Sequence, residues 1–99
     1  MVRAPQLVRV LWTQRAEDDV LRHWLFLAER NVGHAQRVEA RLRAAADLIG
    51  GVPLIGRRVV RTTRDLSLPD IQYVMRYRVD EDAIRILEIC HTRQNREAP

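Results

Sequence analysis

Ninety-nine residues, 46% hydrophobic and 30% charged, suit one small globular domain with a single core and exclude a disordered or membrane-embedded chain. The formal charge is +4 at pH 7 and all the basic residues are arginine, so lysine acids, Schiff bases and lysine-bearing phosphate loops are excluded. A lone cysteine, Cys90, rules out an internal disulfide, and no apolar run approaches the roughly 20 residues of a membrane-spanning helix or forms a signal-peptide core, so a cytoplasmic protein is expected.

Residues 1–6 carry Pro5 and no periodicity, and are expected to be a loosely held lead-in. Residues 7–12, Leu-Val-Arg-Val-Leu-Trp, are apolar and β-branched, which predicts a first strand. Thr13 has the chemistry of a helix N-cap, and Glu17, Asp18 and Asp19 place negative charge in the opening turns where the helix dipole favours it. The spacing predicts a helix over 14–30 that turns Val20, Trp24, Leu27 and Ala28 to the core, with Leu21 and Leu25 widening that face. Asn31-Val32-Gly33 breaks the pattern. A second helix follows with Ala35, Val38, Leu42, Ala45, Ala46 and Ile49 in one stripe, opposite Arg37, Arg41 and Arg43, and ends at Gly50, Gly51 and Pro53. So short a connection makes the two helices an antiparallel hairpin that needs a sheet to cover its stripes.

That sheet comes from three runs, 63–68, 71–79 and 83–91, separated by the turn-formers Pro69-Asp70 and Asp80-Glu81-Asp82, so a mainly antiparallel meander is expected. In the middle run Tyr73, Met75, Tyr77 and Val79 alternate with Gln72, Val74, Arg76 and Arg78, giving an apolar and a basic face. Residues 83–90 are apolar on both faces, the pattern of a central strand. The fold class is therefore α+β, in the order β-α-α-β-β-β, a single domain over residues 1–99 with 94–99 also loosely ordered and about four strands.

The order of elements, the basic composition and a set of short matches resemble the RelE/ParE toxin superfamily of bacterial type II toxin–antitoxin systems. The matches are Arg15-Ala16-Glu17-Asp18-Asp19, Pro53-Leu54-Ile55-Gly56-Arg57, Thr63-Arg64-Asp65-Leu66, Tyr77-Arg78-Val79 and Ile86-Leu87-Glu88-Ile89-Cys90-His91-Thr92-Arg93-Gln94. The resemblance implies a toxin neutralised by a cognate antitoxin, ParD-like or another small protein, whose acidic amphipathic C-terminal segment lies across the toxin in a hetero-oligomer. It implies no cofactor and no metal. Two activities occur in the superfamily: ParE-like members poison DNA gyrase, and RelE-like members cleave messenger RNA on the ribosome.

The ParE-like reading is favoured because the chain has no lysine and has Thr92 after His91 where a nuclease relative has tyrosine. It implies growth inhibition and plasmid or chromosome stabilisation without a catalytic centre. The alternative, a metal-independent mRNA endoribonuclease, would use Arg64 and Arg78 as cations beside the phosphorane and His91 as the proton-transfer group. A third reading is a non-toxic module whose basic face only docks a partner.

Arg57, Arg58, Arg61, Arg64, Arg78, His91 and Arg93 are the candidate target- or nucleic-acid-contacting residues. The first four read either as a contact strip or as a solvated edge that discourages sheet-to-sheet pairing. Arg78 either reaches a cleft or pairs with Glu88 or an aspartate. Trp24, Leu25, Arg37 and Arg41 are candidates for antitoxin binding. Trp12, Trp24, Tyr73 and Tyr77 fall at core spacing, as do Leu87 and Ile89, while His23 and His34 are read as solvent-facing and Cys90 as a small buried hydrophobe.

Overall fold

Thr13 has extended backbone angles, and its hydroxyl oxygen accepts the Ala16 N–H at 3.1 Å, so the first helix, α1 (Gln14–Ala28), begins where an N-cap requires. Asn31 repeats the device for α2 (Val32–Gly51), accepting the His34 N–H at 2.9 Å, so Val32 and Gly33 belong to the second helix rather than to the break before it. The structure, a computed structural model, describes residues 8–93; the expectations for 1–6, for Leu7 and for 94–99 lie outside them.

The strands are β1 (Val10–Trp12), β2 (Arg57–Val60), β3 (Thr63–Leu68), β4 (Tyr73–Val79) and β5 (Ile84–His91), in the spatial order β1-β5-β4-β3-β2. β1 runs parallel to β5 and the other pairings are antiparallel. The expected meander is present, but the sheet has a fifth strand. β2 lies at a free edge with all four residues exposed, so it carries no hydrophobic alternation by which its sequence could be recognised.

Both helices pack on one face of the sheet. Val20, Val38, Leu42, Ala45 and Ile49 meet Leu68, Tyr73, Met75, Tyr77, Ile84, Ile86 and Ile89 in one buried cluster. Leu21 and Leu25 were expected to widen the α1 core face, but they are 57% and 54% exposed because α2 and the sheet cover only part of α1. Leu87 also departs from expectation and is only half-buried. The β4–β5 register shifts between Arg76 and Tyr77, which leaves Leu87 as the extra residue of a bulge and puts Ile86 and Ile89, three apart, on the same face. Cross-strand pairing puts Arg57, Asp65, Arg76 and Glu88 in a row on the opposite, helix-free face.

Asp19 is the largest correction in α1. It does not serve the helix dipole at the surface but is fully buried. β1 stops pairing at Trp12↔Ile86, so beyond Ile86 that side of β5 has no neighbouring strand. Side chains around α1 replace the missing strand: the Thr13 hydroxyl donates to the Ile86 carbonyl at 2.8 Å, and Asp19 Oδ2 accepts the Ile89 N–H at 2.9 Å. Arg15 and Arg22 neutralise the carboxylate from outside, at 3.3 and 2.9 Å.

Replacing Asp19 by alanine would leave the Ile89 amide without its acceptor and separate two arginines from their counter-ion. About 3 kcal/mol of stability should be lost, read as a lower urea midpoint with an unchanged m-value; a loss below about 1 kcal/mol would show that water or a neighbouring group takes over the amide.

Candidate functional site

The residues proposed for phosphodiester chemistry do not meet. Arg64 sits opposite Tyr77 and His91 opposite Tyr73. They are therefore four residues apart along β4, roughly 13 Å, and two strand spacings apart across it, roughly 10 Å. Arg78 follows Tyr77 and points to the other face of the sheet, where Asp80 accepts from its Nε at 3.0 Å. Asp80 also accepts from Arg85 at 2.8 Å, and the two arginines hold its carboxyl below the usual carboxylate range. Of the two readings of Arg78, the structure takes pairing. Glu88 pairs instead with Arg76 and Arg15.

Arg64 has a local task. Its guanidinium donates to the Gly56 carbonyl at 2.8 Å and the Leu54 carbonyl at 3.3 Å. Tyr77 holds the same loop from within: its hydroxyl donates to the Pro53 carbonyl at 2.7 Å and accepts the Gly56 N–H at 2.8 Å. A Cβ on residue 56 would lie 2.7 Å from that hydroxyl, so only glycine allows the approach. This loop leads into β2, so Arg64 and Tyr77 together present the edge strand. There Arg57, Arg58 and the hairpin residue Arg61 are exposed, and none is paired with a carboxylate among the described residues. Val59 and Val60 beside them are 41% and 57% exposed.

A second basic feature lies at the other end of the sheet. A cleft of about 570 Å³ separates α1 from the end of β5, walled by Arg22, Phe26 and Arg30 on one side and by Gln72, His91 and Arg93 on the other. His23 and Tyr73 also line it, and no acidic residue does. His23 and Tyr73 meet edge-on at 4.8 Å, and Tyr73 and His91 at 5.3 Å. Burial raises the Tyr73 phenol above its ordinary value of 10, which keeps it protonated at neutral pH.

His23 was expected to face solvent, but it is half-buried and its Nε2–H donates to the Ile89 carbonyl at 3.1 Å. Asp19 and His23, one helical turn apart, thus take the N–H and the C=O of the same residue. Of the cleft residues, only His91 and Arg93 were read from sequence as target- or nucleic-acid-contacting; Tyr73 was read as core and His23 as solvent-facing. Arg22, Phe26 and Arg30 fall at i, i+4 and i+8, a legible stripe overshadowed by the apolar stripe beside it.

Trp24 is half-buried between the helices, whereas Leu25 and Arg37 are exposed, and Arg41 donates to Asp70 at 2.8 Å. His34 is exposed, as expected. Cys90 is half-buried and its thiol donates to Glu88 at 3.1 Å; burial, helped by Glu88, pushes its pKa up to about 12, so the thiolate is not formed at neutral pH. Among the described residues no cluster of three or more His, Cys, Asp or Glu side chains is placed to hold a metal ion, and no helix is long and apolar enough to cross a membrane.

Comparison with known proteins places this architecture. Residues 10–96 match the family described as the ParE toxin of the type II toxin–antitoxin system parDE. Toxin RelE1 of Caulobacter vibrioides is 37% identical over 89 residues, covering 88% of this chain and 96% of that protein. Toxin RelE2 of the same organism is 33% identical over 85 residues, covering 86% and 96%. A chain from the chromosomal ParDE system of P. aeruginosa superposes with a TM-score of 0.74 at 19% identity, covering 86% of this chain and 96% of its own length, a likeness of fold.

Burial lowers the His23 pKa below its ordinary 6.5, repulsion from Arg22 adds to this, and the Ile89 carbonyl acts in the opposite direction. The unfolded chain therefore binds the proton first as pH falls. The neutral-His23 contribution to stability is complete above about pH 6.5 and declines below it. Urea midpoints measured from pH 7.5 to 5.5 should fall more steeply for the parent than for His23→Gln; parallel pH profiles would place His23 outside the linkage.

Proposed function

The chain belongs to the ParE toxin family of type II toxin–antitoxin systems, and we propose that it arrests growth by binding DNA gyrase until its antitoxin covers it. The observation that carries the gyrase reading is the dispersal of Arg64, Arg78 and His91 over two faces and opposite ends of the sheet. In-line attack by a 2′-hydroxyl needs its base and its cations within hydrogen-bond reach of one phosphate. Binding a large partner needs instead an exposed surface with arginine anchors beside apolar groups, which Arg57, Arg58 and Arg61 provide with Val59 and Val60.

The RelE-like reading keeps one specific support. His91 lies beside Arg93 and the protonated Tyr73 in the basic cleft, and the two Caulobacter relatives carry RelE names. A single pair of assays decides between the readings. Purified toxin should inhibit supercoiling and trap gyrase cleavage complexes, and a variant with Arg57→Gln, Arg58→Gln and Arg61→Gln should need about tenfold more protein for the same effect, at roughly 0.5 kcal/mol per contact. Ribosome-dependent message cleavage that disappears in His91→Ala would replace gyrase by the ribosome as target.

Family membership implies an antitoxin. Leu21, Leu25 and Val32 expose aliphatic surface on the helical hairpin beside Arg22 and Arg37, a surface suited to the apolar and acidic sides of an amphipathic segment. We expect Leu25→Asp to weaken antitoxin binding tenfold or more in calorimetry, about 1.4 kcal/mol; unchanged affinity would move the antitoxin to another face.

A further inference from the structure

We propose that the end of α2, the loop after it and the edge strand β2 form a docking surface for an anionic lipid bilayer. Leu54, Ile55 and Val60 enter the headgroup layer, and Arg57, Arg58 and Arg61 meet lipid phosphates. No described helix is long and apolar enough to cross a membrane, so the contact is peripheral. It goes beyond the gyrase reading, since no protein target takes part in it.

Aliphatic and basic groups alternate here without any acid. Leu48, Val52, Leu54, Ile55, Val59 and Val60 all expose aliphatic side chains, and Leu54, at 64%, is the most exposed large hydrophobic among the described residues. From residue 48 to residue 64 the charged residues are Arg57, Arg58, Arg61 and Arg64. The first three have no carboxylate partner among the described residues. Asp47 precedes the stretch, and Asp65 after it is buried and held by Arg76. Such a surface combines apolar area with attraction to anionic headgroups, the two sources of interfacial binding.

The loop backbone favours lipid as the occupant. Pro53 has no N–H, its carbonyl accepts the Tyr77 hydroxyl, and the same hydroxyl accepts the Gly56 N–H. The Leu54 and Gly56 carbonyls accept from Arg64, and the Ile55 N–H donates to the Val52 carbonyl. Most polar groups between the exposed aliphatic side chains are thus answered from within the chain, as an apolar surrounding requires and water does not. The same clamp fixes the loop, so little order remains to be imposed on binding. At the hairpin tip Arg61 has φ 51°, where glycine would be less strained, so a guanidinium is kept there at a cost to the fold. A second copy would set arginine against arginine, and a nucleic-acid strand would find no aromatic ring to stack on, since residues 48–64 contain none.

Co-sedimentation of the full-length chain with vesicles of phosphatidylcholine and phosphatidylglycerol in equal parts, against phosphatidylcholine alone, tests the proposal. Neither gyrase nor ribosome is present, so failure here leaves the target reading standing. The chain should bind the anionic vesicles, leave the neutral ones largely unoccupied, and be released as salt rises. Arg57→Gln, Arg58→Gln and Arg61→Gln should each lower the partition coefficient about fivefold. Leu54→Ser should lower it about tenfold, from the lost apolar burial. Each variant is carried forward only if its thermal midpoint matches the parent. Absence of binding to anionic vesicles at low salt overturns the proposal, and so does equal binding to both vesicle types. Leu54→Ser without effect would reduce the contact to adsorption of any polyanion and overturn it as well. Binding lost in Arg30→Gln/Arg93→Gln but intact in the edge variants does the same, as does self-association without lipid that Leu54→Ser abolishes, which would give the surface to a second copy.

Discussion

The arrangement depends on the unpaired edge of β5 beyond Ile86. A buried strand edge with no neighbour exposes N–H and C=O groups that cost free energy unless something answers them. Here an α-helix answers them. Asp19 takes the Ile89 amide, His23 gives to the Ile89 carbonyl, and Thr13, the cap of the same helix, takes up the Ile86 carbonyl. The bulge at Leu87 keeps Ile86 and Ile89 both inward, so the core continues past the point where β1 ends. α1 is thereby tied to the sheet by directional contacts as well as by apolar area. The walls of the basic cleft, α1 on one side and the end of β5 on the other, are set relative to each other by the same contacts.

Charge is divided between structure and surface. Asp65, Asp80 and Glu88 engage Arg76, Arg78 and Arg85 on the helix-free face, where Arg76 and Asp65 form a bidentate pair at 2.8 and 3.0 Å, and Glu88 also meets Arg15 of α1. The acidic residues of the sheet are largely used there. Arg57, Arg58 and Arg61 at the free edge, and Arg30 and Arg93 at the cleft, keep positive charge that no described carboxylate offsets. Two copies pairing through β2 would bring their arginines together, which disfavours self-association and leaves the edge to a partner of opposite charge.

The fold was legible in the sequence to the extent that local chemistry dictates it. Thr13 caps α1, Pro53 follows the end of α2, and the acidic turns delimit the three long strands, because each is decided by residues within a few positions of each other. β2 was not legible, since an edge strand exposed at every residue has no period. Asp19 and His23 were misread because their partner, Ile89, lies some seventy residues away in the chain. The candidate site divided along the same line: His91 and Arg93 stood out as the end of a strand, whereas Arg22, Phe26 and Arg30 gain meaning only once α1 is seen against the sheet.

His23 belongs to both layers of this account. Its Nε2–H completes the β5 edge, and its ring continues through Tyr73 to His91 as a series of edge-on contacts along the base of the cleft. Protonation leaves that donor in place but adds a positive charge to a half-buried ring beside Arg22, and this electrostatic cost is what lowers its pKa. Kept neutral, the ring serves as a spacer of defined position, and the positive charge of the cleft resides in the guanidinium groups of Arg22, Arg30 and Arg93.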